Sequence, residues 1–365
     1  MTTLLPAKNS TPLEVALEQA ISNEEELLPA VNSILSLKHV TRPSGILPFL
    51  VFEYGLEPLQ PYIANLFDLI DEGRQWARYR GTHKAVHDGL GFIGYSATII
   101  DPPIWRNAWA DFQLELDRIR DDETDLIPID GIVSLSHPAR SNLRRVFKDY
   151  DVPAGTFAYT RHGNAIWADD SGTYIDGSDV KWSFGRYHDF TGTLSETDLT
   201  ALGEWIPVVS SSKWVDMDFP WVTATFPWAN PAEQSRRQTI ASGVSAKTIW
   251  LKFTDGSSDL IGYRLGKSIP VRAAVEGEFT VNGLGYACSD DDPTHILIFA
   301  RTGFGDGSGT SAAQISILFD GTVSEKSGLL WRADVTGGVE IHAYPVSIEF
   351  GETVRDQIQI LLEIS

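Results

Sequence analysis

The amino-acid sequence predicts a multidomain α+β chain, with a helical N-terminal domain carrying small β elements and then a mostly antiparallel β-sandwich. Three observations carry this expectation. Two capped amphipathic stretches open the chain between Thr11 and Leu35. Apolar residues then keep helical spacing from Ile63 to Leu90. From Ser242 the pattern changes to about eight short runs separated by Gly and Asp turns, which suggests a sandwich or jelly roll. The expected division is 1–40 (amphipathic helices), 41–190 (helical domain with small strands), 191–241 (a Trp- and Pro-rich arm or linker) and 242–365 (β-sandwich).

The first helix is signalled by Thr11-Pro12-Leu13-Glu14, a capping box with proline at the first helical position. Leu13, Leu17 and Ile21 fall on one face of it. Asn23 followed by Glu24, Glu25 and Glu26 opens a second helix, because acids favour a helix N-terminus, and Leu27, Val31, Ile34 and Leu35 form its stripe. Both stripes are expected to pack on a domain or on helices of other chains.

After the Arg42–Gly45 turn comes a dense apolar run from Ile46 to Leu56. Pro58 and Pro61 are expected to open a helix through Ile63, Leu66, Phe67 and Ile70 that reaches Trp76, Tyr79 and Arg80. Gly81 then supplies a backbone angle that a side chain resists, Thr82 caps a short helix with Ala85, Val86 and Leu90 inward, and Gly91 is expected to end it. A strand is expected over Tyr95–Ile100. Trp105, Ala108, Trp109, Phe112, Leu116 and Ile119 predict a helix, and Pro138–Tyr150 another carrying Arg140, Arg144 and Arg145.

Short strands are then expected at Thr156–Thr160, Ala165–Ala168, Tyr174–Ile175 and Val180–Phe184. Residues Thr191–Arg237 read as an irregular arm whose aromatics, Trp214, Trp221 and Trp228 among them, are pinned on a neighbour. The β-rich end offers candidate strands at Thr248–Phe253, Ser268–Val275, Glu278–Val281, His295–Ala300, Gln314–Phe319, Gly328–Ala333, Gly338–Val346 and Gln357–Ile364.

Composition narrows the function classes. A formal net charge of −20 over 365 residues argues against a nucleic-acid partner. The single Cys288 leaves no internal disulfide and no cysteine-built metal site. No secretory signal is visible, and the most apolar stretch, Ile46–Phe52, is too short to insert into a membrane.

Candidate chemistry is sparse. The loop Gly303–Gly309 lacks the Lys-Ser/Thr ending that holds a nucleotide phosphate. Asp290, Asp291 and Asp292, and Asp255 with Asp259, read as solvated turns rather than calcium ligands. His83 and His87 stand one helical turn apart, but Lys84 occupies the place where a His-Glu-x-x-His zinc site needs Glu. His162 and His188 have no evident partner, and no Gly-x-Ser-x-Gly elbow occurs. No catalytic residue, cofactor or metal is therefore expected. A carbohydrate- or receptor-binding sandwich and a glycan hydrolase are the alternative readings.

Arg80-Gly81-Thr82, followed by Ala85-Val86, Leu90 and Gly91, resembles the turn of the phage tail protein I family. Leu47-Pro48-Phe49-Leu50-Val51 is similar to the Leu-Pro-Trp-Leu-Ala run upstream of that turn, with Phe49 for Trp and Val51 for Ala. His137-Pro138-Ala139-Arg140 resembles a later feature of the family. The resemblance covers roughly residues 10 to 150 and leaves the sandwich outside it.

The resemblance implies a baseplate wedge component of contractile-tailed phages, assembled in the host cytoplasm and resident in the virion. It implies a structural protein that joins other wedge proteins through its N-terminal helices, with adjacent wedges, a tail fibre or hub proteins as further partners. The stretch Trp76–Tyr95 then reads as a structural hinge, its Arg80, Gly81, Thr82 and Gly91 chosen for backbone geometry.

Overall fold

The computed structural model describes residues 10–22, 24–100, 109–119, 123–149, 151–152, 170–206, 231–324 and 330–364. They form two compact units, Met1–Gly94 with Gly131–Ala139, and Tyr95–Asp130 with Arg140–Ser365.

The first unit is helical: α1 (Pro12–Ile21), α2 (Glu24–Ser36), α3 (Leu47–Glu53), α4 (Leu66–Tyr79), α5 (His83–Phe92) and the end of α6 (Leu126–Ser136). Its core comes from the periodic apolar residues Leu47, Leu50 and Val51 of α3, Leu69, Ile70 and Trp76 of α4, and Ala85, Val86 and Leu90 of α5. Helix α4 begins at Leu66, five residues later than expected from Pro61. Asn65 caps it by accepting from Phe67 N–H at 3.0 Å, while Pro58 lies in a preceding 3-10 turn. Helix α5 runs past Gly91 to Phe92, and the left-handed residue that follows it is Gly94, with φ +75°.

The second unit is built on one large sheet of β1 (Ala97–Ile100), β2 (Asp111–Leu116), β3 (Asn142–Lys148), β4 (Thr173–Tyr174), β5 (Lys181–Leu194), β6 (Ile249–Thr254), β7 (Leu260–Ala273), β8 (Phe279–Val281), β9 (Leu284–Cys288), β10 (His295–Arg301), β11 (Ser311–Phe319), β13 (Trp331–Arg332), β15 (Val339–Glu349) and β16 (Val354–Ile364). A small separate pair joins β12 (Thr322–Val323) to β14 (Val335–Thr336). The main order is β1-β2-β3-β5-β16-β10-β7-β6-β11-β15. Pairing is antiparallel except for β2 with β3, β3 with β5 and β5 with β16.

Strand β7 passes between two layers. Its first half pairs with β6 and its second half with β10 and β9. Alternate residues of both layers therefore meet in one core: Leu251 and Phe253 of β6, Ile296 and Ile298 of β10, Ile315 and Ile317 of β11, Ile358, Ile360 and Leu362 of β16. The α+β class and the mostly antiparallel C-terminal half stand as the sequence predicts.

Several expectations are corrected. The helix expected over Trp105–Ile119 is in its described part strand β2. Phe112 and Leu116 lie four residues apart, a spacing shared by helix and strand, and buried Leu114 between them completes a period of two. The helix expected over Pro138–Tyr150 is strand β3, inserted between β2 and β5 with Arg145 buried. Conversely, Leu126–Ser136 is helical: Leu126, Ile129, Ile132 and Val133 share one buried face, while the equally apolar Ile127 on the opposite side is exposed.

The described ends of the arm are more regular than expected. Strand β5 runs unbroken through 190/191 to Leu194, then α7 (Glu196–Leu202) follows, and α8 (Pro231–Ala246) crosses 241/242. Leu199, Leu202, Ile240, Ala241 and Val244 of these helices join the sandwich core. The strands expected at Thr156–Thr160 and Ala165–Ala168 lie outside the described residues.

Candidate assembly surface and the Arg80–Thr82 clasp

Helix α1 carries the capping box read from the sequence. Thr11 Oγ1 accepts from Glu14 N–H at 3.4 Å, and Glu14 Oε2 accepts from Thr11 N–H at 2.7 Å. That exchange satisfies two backbone donors and holds the Glu14 carboxyl below its ordinary pKa. Yet α1 buries none of its residues, with Leu13 75% and Ile21 68% exposed. Leu17 beside them, and Leu27, Leu28 and Val31 on α2, are exposed as well.

A helix of 10 residues falls below the length of about 12–15 at which isolated helices persist in water. An apolar stripe on such a helix gains nothing until another surface covers it. Ile34 and Leu35 belong to α2, but their side chains lie outside the described residues. Trp214, Trp221 and Trp228 also lie outside them.

The Arg80–Gly81–Thr82 turn is tied down on both sides. Gly81, at φ +83°, donates its N–H to Ser136 O at 2.9 Å, and Arg80 Nε donates to Leu135 O at 2.9 Å. Leu135 and Ser136 end α6, so these carbonyls have no intrahelical donor, and a guanidinium at a helix C-terminus is favoured by the helix dipole. Trp76 Nε1 donates to Ser136 Oγ at 3.0 Å, which in turn donates to Ile132 O at 2.6 Å. Arg80 lies over the Trp76 ring, 5.5 Å from its centroid. Thr82 Oγ1 accepts from Ala85 N–H and so starts α5. The stretch read as a hinge is thus a clasp on the end of α6. Sequence reasoning placed Gly81 and Thr82 but missed Trp76 and Ser136, whose partnership spans 60 residues.

Gly89 sits where α5 meets α6, and a Cβ there would lie 2.7 Å from Ser136 Oγ. Gly91 is different. A Cβ on it would meet nothing within 4 Å, and its φ is not left-handed. It lines an open groove of about 390 Å³ between α4 and α5, together with Glu72, Gln75, Trp76, Lys84, His87, Asp88 and Phe92.

The other candidates resolve into turn chemistry. Asp255 Oδ1 accepts from the N–H groups of Ser257 and Asp259, both at 2.8 Å. Asp292 pairs with Arg272, and Asp306 of the glycine-rich loop pairs with Arg264 at 2.9 Å. His83 and His87 are exposed on α5, where Lys84 pairs with Asp88 at 2.9 Å. His188 has a partner after all, Asp356 at 2.9 Å. Among the described residues no three His, Cys, Asp or Glu side chains are grouped to hold a metal ion, and no helix is long and apolar enough to cross a membrane.

An exposed aliphatic arm joined to a tightly clasped helical unit is the make-up of a chain that builds contacts with other proteins. The family comparison points the same way. Residues 5–140 match the phage tail protein family Tail_P2_I, so the N-terminal part of the chain is similar to that family, as Arg80-Gly81-Thr82 suggested, while the β-rich part lies outside the match. The match supports a structural role in a phage tail. No curated protein matches the chain.

Proposed function

We propose that the protein is a wedge subunit of a contractile phage tail baseplate that joins other wedge proteins through α1 and α2. The carrying observation is the stripe of Leu13, Leu17 and Ile21 on a well-capped helix that buries nothing of its own. The match to a phage tail protein family supports a structural role. Leu27, Val31, Ile34 and Leu35 extend the joining surface, and Trp214, Trp221 and Trp228 belong to a segment that contacts adjacent subunits. The β-sandwich docks a fibre or a neighbouring subunit. The protein then resides in the virion tail after assembly in the host cytoplasm.

The test is complementation of a phage that lacks this chain. Leu13→Asp with Leu17→Asp leaves the isolated chain folded, because neither residue is buried, and tail particles fail to form. Normal particles from that variant would remove the basis of the reading.

A further inference from the structure

The hairpin β8–β9 covers part of the sandwich. Its Val281 and Tyr286 are buried against Val271, Leu297 and Leu361 of β7, β10 and β16, with Phe279 packed beside them. Its tip is the two-residue turn Asn282-Gly283, between the paired residues Val281 and Leu284. Asn282 has φ +49° and Gly283 φ +78°, the two left-handed residues that a type I′ turn requires. Both are exposed. The tip is fastened to β5 and β16. Asn282 N–H donates to Asp189 Oδ2 at 2.8 Å, and Gln359 Nε2 donates to Thr280 O at 3.3 Å and to Asp189 Oδ1 at 3.4 Å.

The same dipeptide is chemically labile. The backbone nitrogen after an asparagine can close a five-membered ring on the asparagine's side-chain carbon, and a side chain on the following residue hinders that approach. Asn282 is followed by glycine, and no other asparagine of the chain is. Nothing lies within 4 Å of where a Cβ on Gly283 would stand, so the approach is not crowded from that side.

We propose that Asn282 is a deamidation site and that its conversion releases the β8–β9 hairpin. The Gly283 backbone nitrogen, having given its proton to hydroxide, attacks Asn282 Cγ. The N–Cγ bond forms, the Cγ–Nδ2 bond breaks, and Nδ2 takes up a proton and leaves as ammonia. Water then opens the cyclic imide. Cleavage at Cγ gives aspartate, and cleavage at the former backbone carbonyl carbon gives isoaspartate. The sum is an amide and water giving a carboxylate and ammonium, with nothing oxidised or reduced.

Either product works against the hairpin. Aspartate brings a second negative charge close to Asp189, and like charges at such separations repel. Isoaspartate routes the chain through the side-chain carbon. It adds a methylene to the backbone of a turn whose register depends on having two residues of ordinary length. A released hairpin uncovers Leu297 and Leu361, both buried in the intact fold. The site lies in the β-rich unit and stands independently of the assembly role of α1 and α2.

The test incubates the folded full-length chain at mildly alkaline pH until half of a urea-unfolded sample has converted. Peptide mass spectrometry is expected to find the amide-to-acid mass shift at Asn282 in the folded sample, and protein isoaspartyl methyltransferase to label the same peptide. Hydrogen exchange of the converted fraction should show protection lost over residues 279–288 and kept over β11. Asn282→Gly, which accepts the left-handed angle and has no amide to lose, should keep its hairpin protection through the same incubation. Retention of Asn282 in the folded chain would overturn the proposal. So would conversion that leaves hairpin exchange unchanged, or an equal loss of protection in Asn282→Gly.

Discussion

Arg186 and Asp356 stand 170 residues apart in the chain and directly opposite each other across the parallel strands β5 and β16, with Arg186 Nε donating to Asp356 Oδ1 at 2.9 Å. The carboxylate is 1% exposed. His188, two residues along β5, meets the same oxygen at 2.9 Å, and Asp356 N–H donates to Thr302 Oγ1 at 2.8 Å. One buried acid thereby joins the strand that enters the sandwich to the last strand of the chain.

Removing that acid leaves a guanidinium facing a protein interior without its counter-charge. Asp356→Ala is expected to destabilise the sandwich by about 3–5 kcal/mol, the cost of breaking a buried ion pair from one side. Urea denaturation followed by tryptophan fluorescence measures it. A loss under about 1 kcal/mol would show that the pair is screened like a surface one.

Gly81 holds a left-handed conformation and donates to the end of α6. Gly81→Val is expected to cost about 1–2 kcal/mol in the helical unit, because a β-branched side chain is disfavoured at this backbone angle. The turn then releases the Leu135 and Ser136 carbonyls, and particle formation falls with it. Thermal unfolding together with complementation reads both effects, and an unshifted melting temperature would refute the clasp.

Gly91 gives the opposite expectation. With helical backbone and open space at its Cβ, Gly91→Ala should stabilise the isolated chain by about 0.5–1 kcal/mol. Gly91→Leu should leave the isolated chain folded while filling the groove. A loss of stability in the alanine variant would show an intrachain demand on this glycine.

Glu340 provides a pH test. Burial opposes its charged form, but hydrogen bonds from Ser316 Oγ and Lys252 Nζ outweigh it and hold the carboxyl below its ordinary value of 4.5. A carboxyl whose pKa is depressed by folding adds stability above its unfolded value and loses it as pH falls through the folded one. Glu340→Gln should therefore flatten the loss of stability between about pH 5 and pH 3 without altering the slope above pH 6. An unchanged acid limb would show that Glu340 contributes nothing there.

The local features were legible in the sequence because their causes are local. The capping box at Thr11–Glu14, the Thr82 cap, the left-handed Gly81 and the alternation of Ile296 with Ile298 or Ile358 with Ile360 each depend on residues a few positions apart. The failures share one cause. Phe112 and Leu116 satisfy both periods, and Arg144 and Arg145 resemble a helix surface until the parallel neighbours β2 and β5 turn their segment into a buried strand. Leu126–Ser136 showed no clear stripe because the exposed Ile127 is as apolar as the buried Ile129 and Ile132.

The chain on its own determined the acidic, apolar-striped N-terminal helices and the change from helical to alternating periodicity. Each follows from spacing and charge along a few turns. Only the tertiary structure decided that β5 enters the sandwich beside β16, that Trp76 and Arg80 secure the end of α6, and that Gly91 faces open space. Those facts depend on which distant segments meet, and hydrogen-bond partners separated by 60 or 170 residues leave no periodic trace in the sequence.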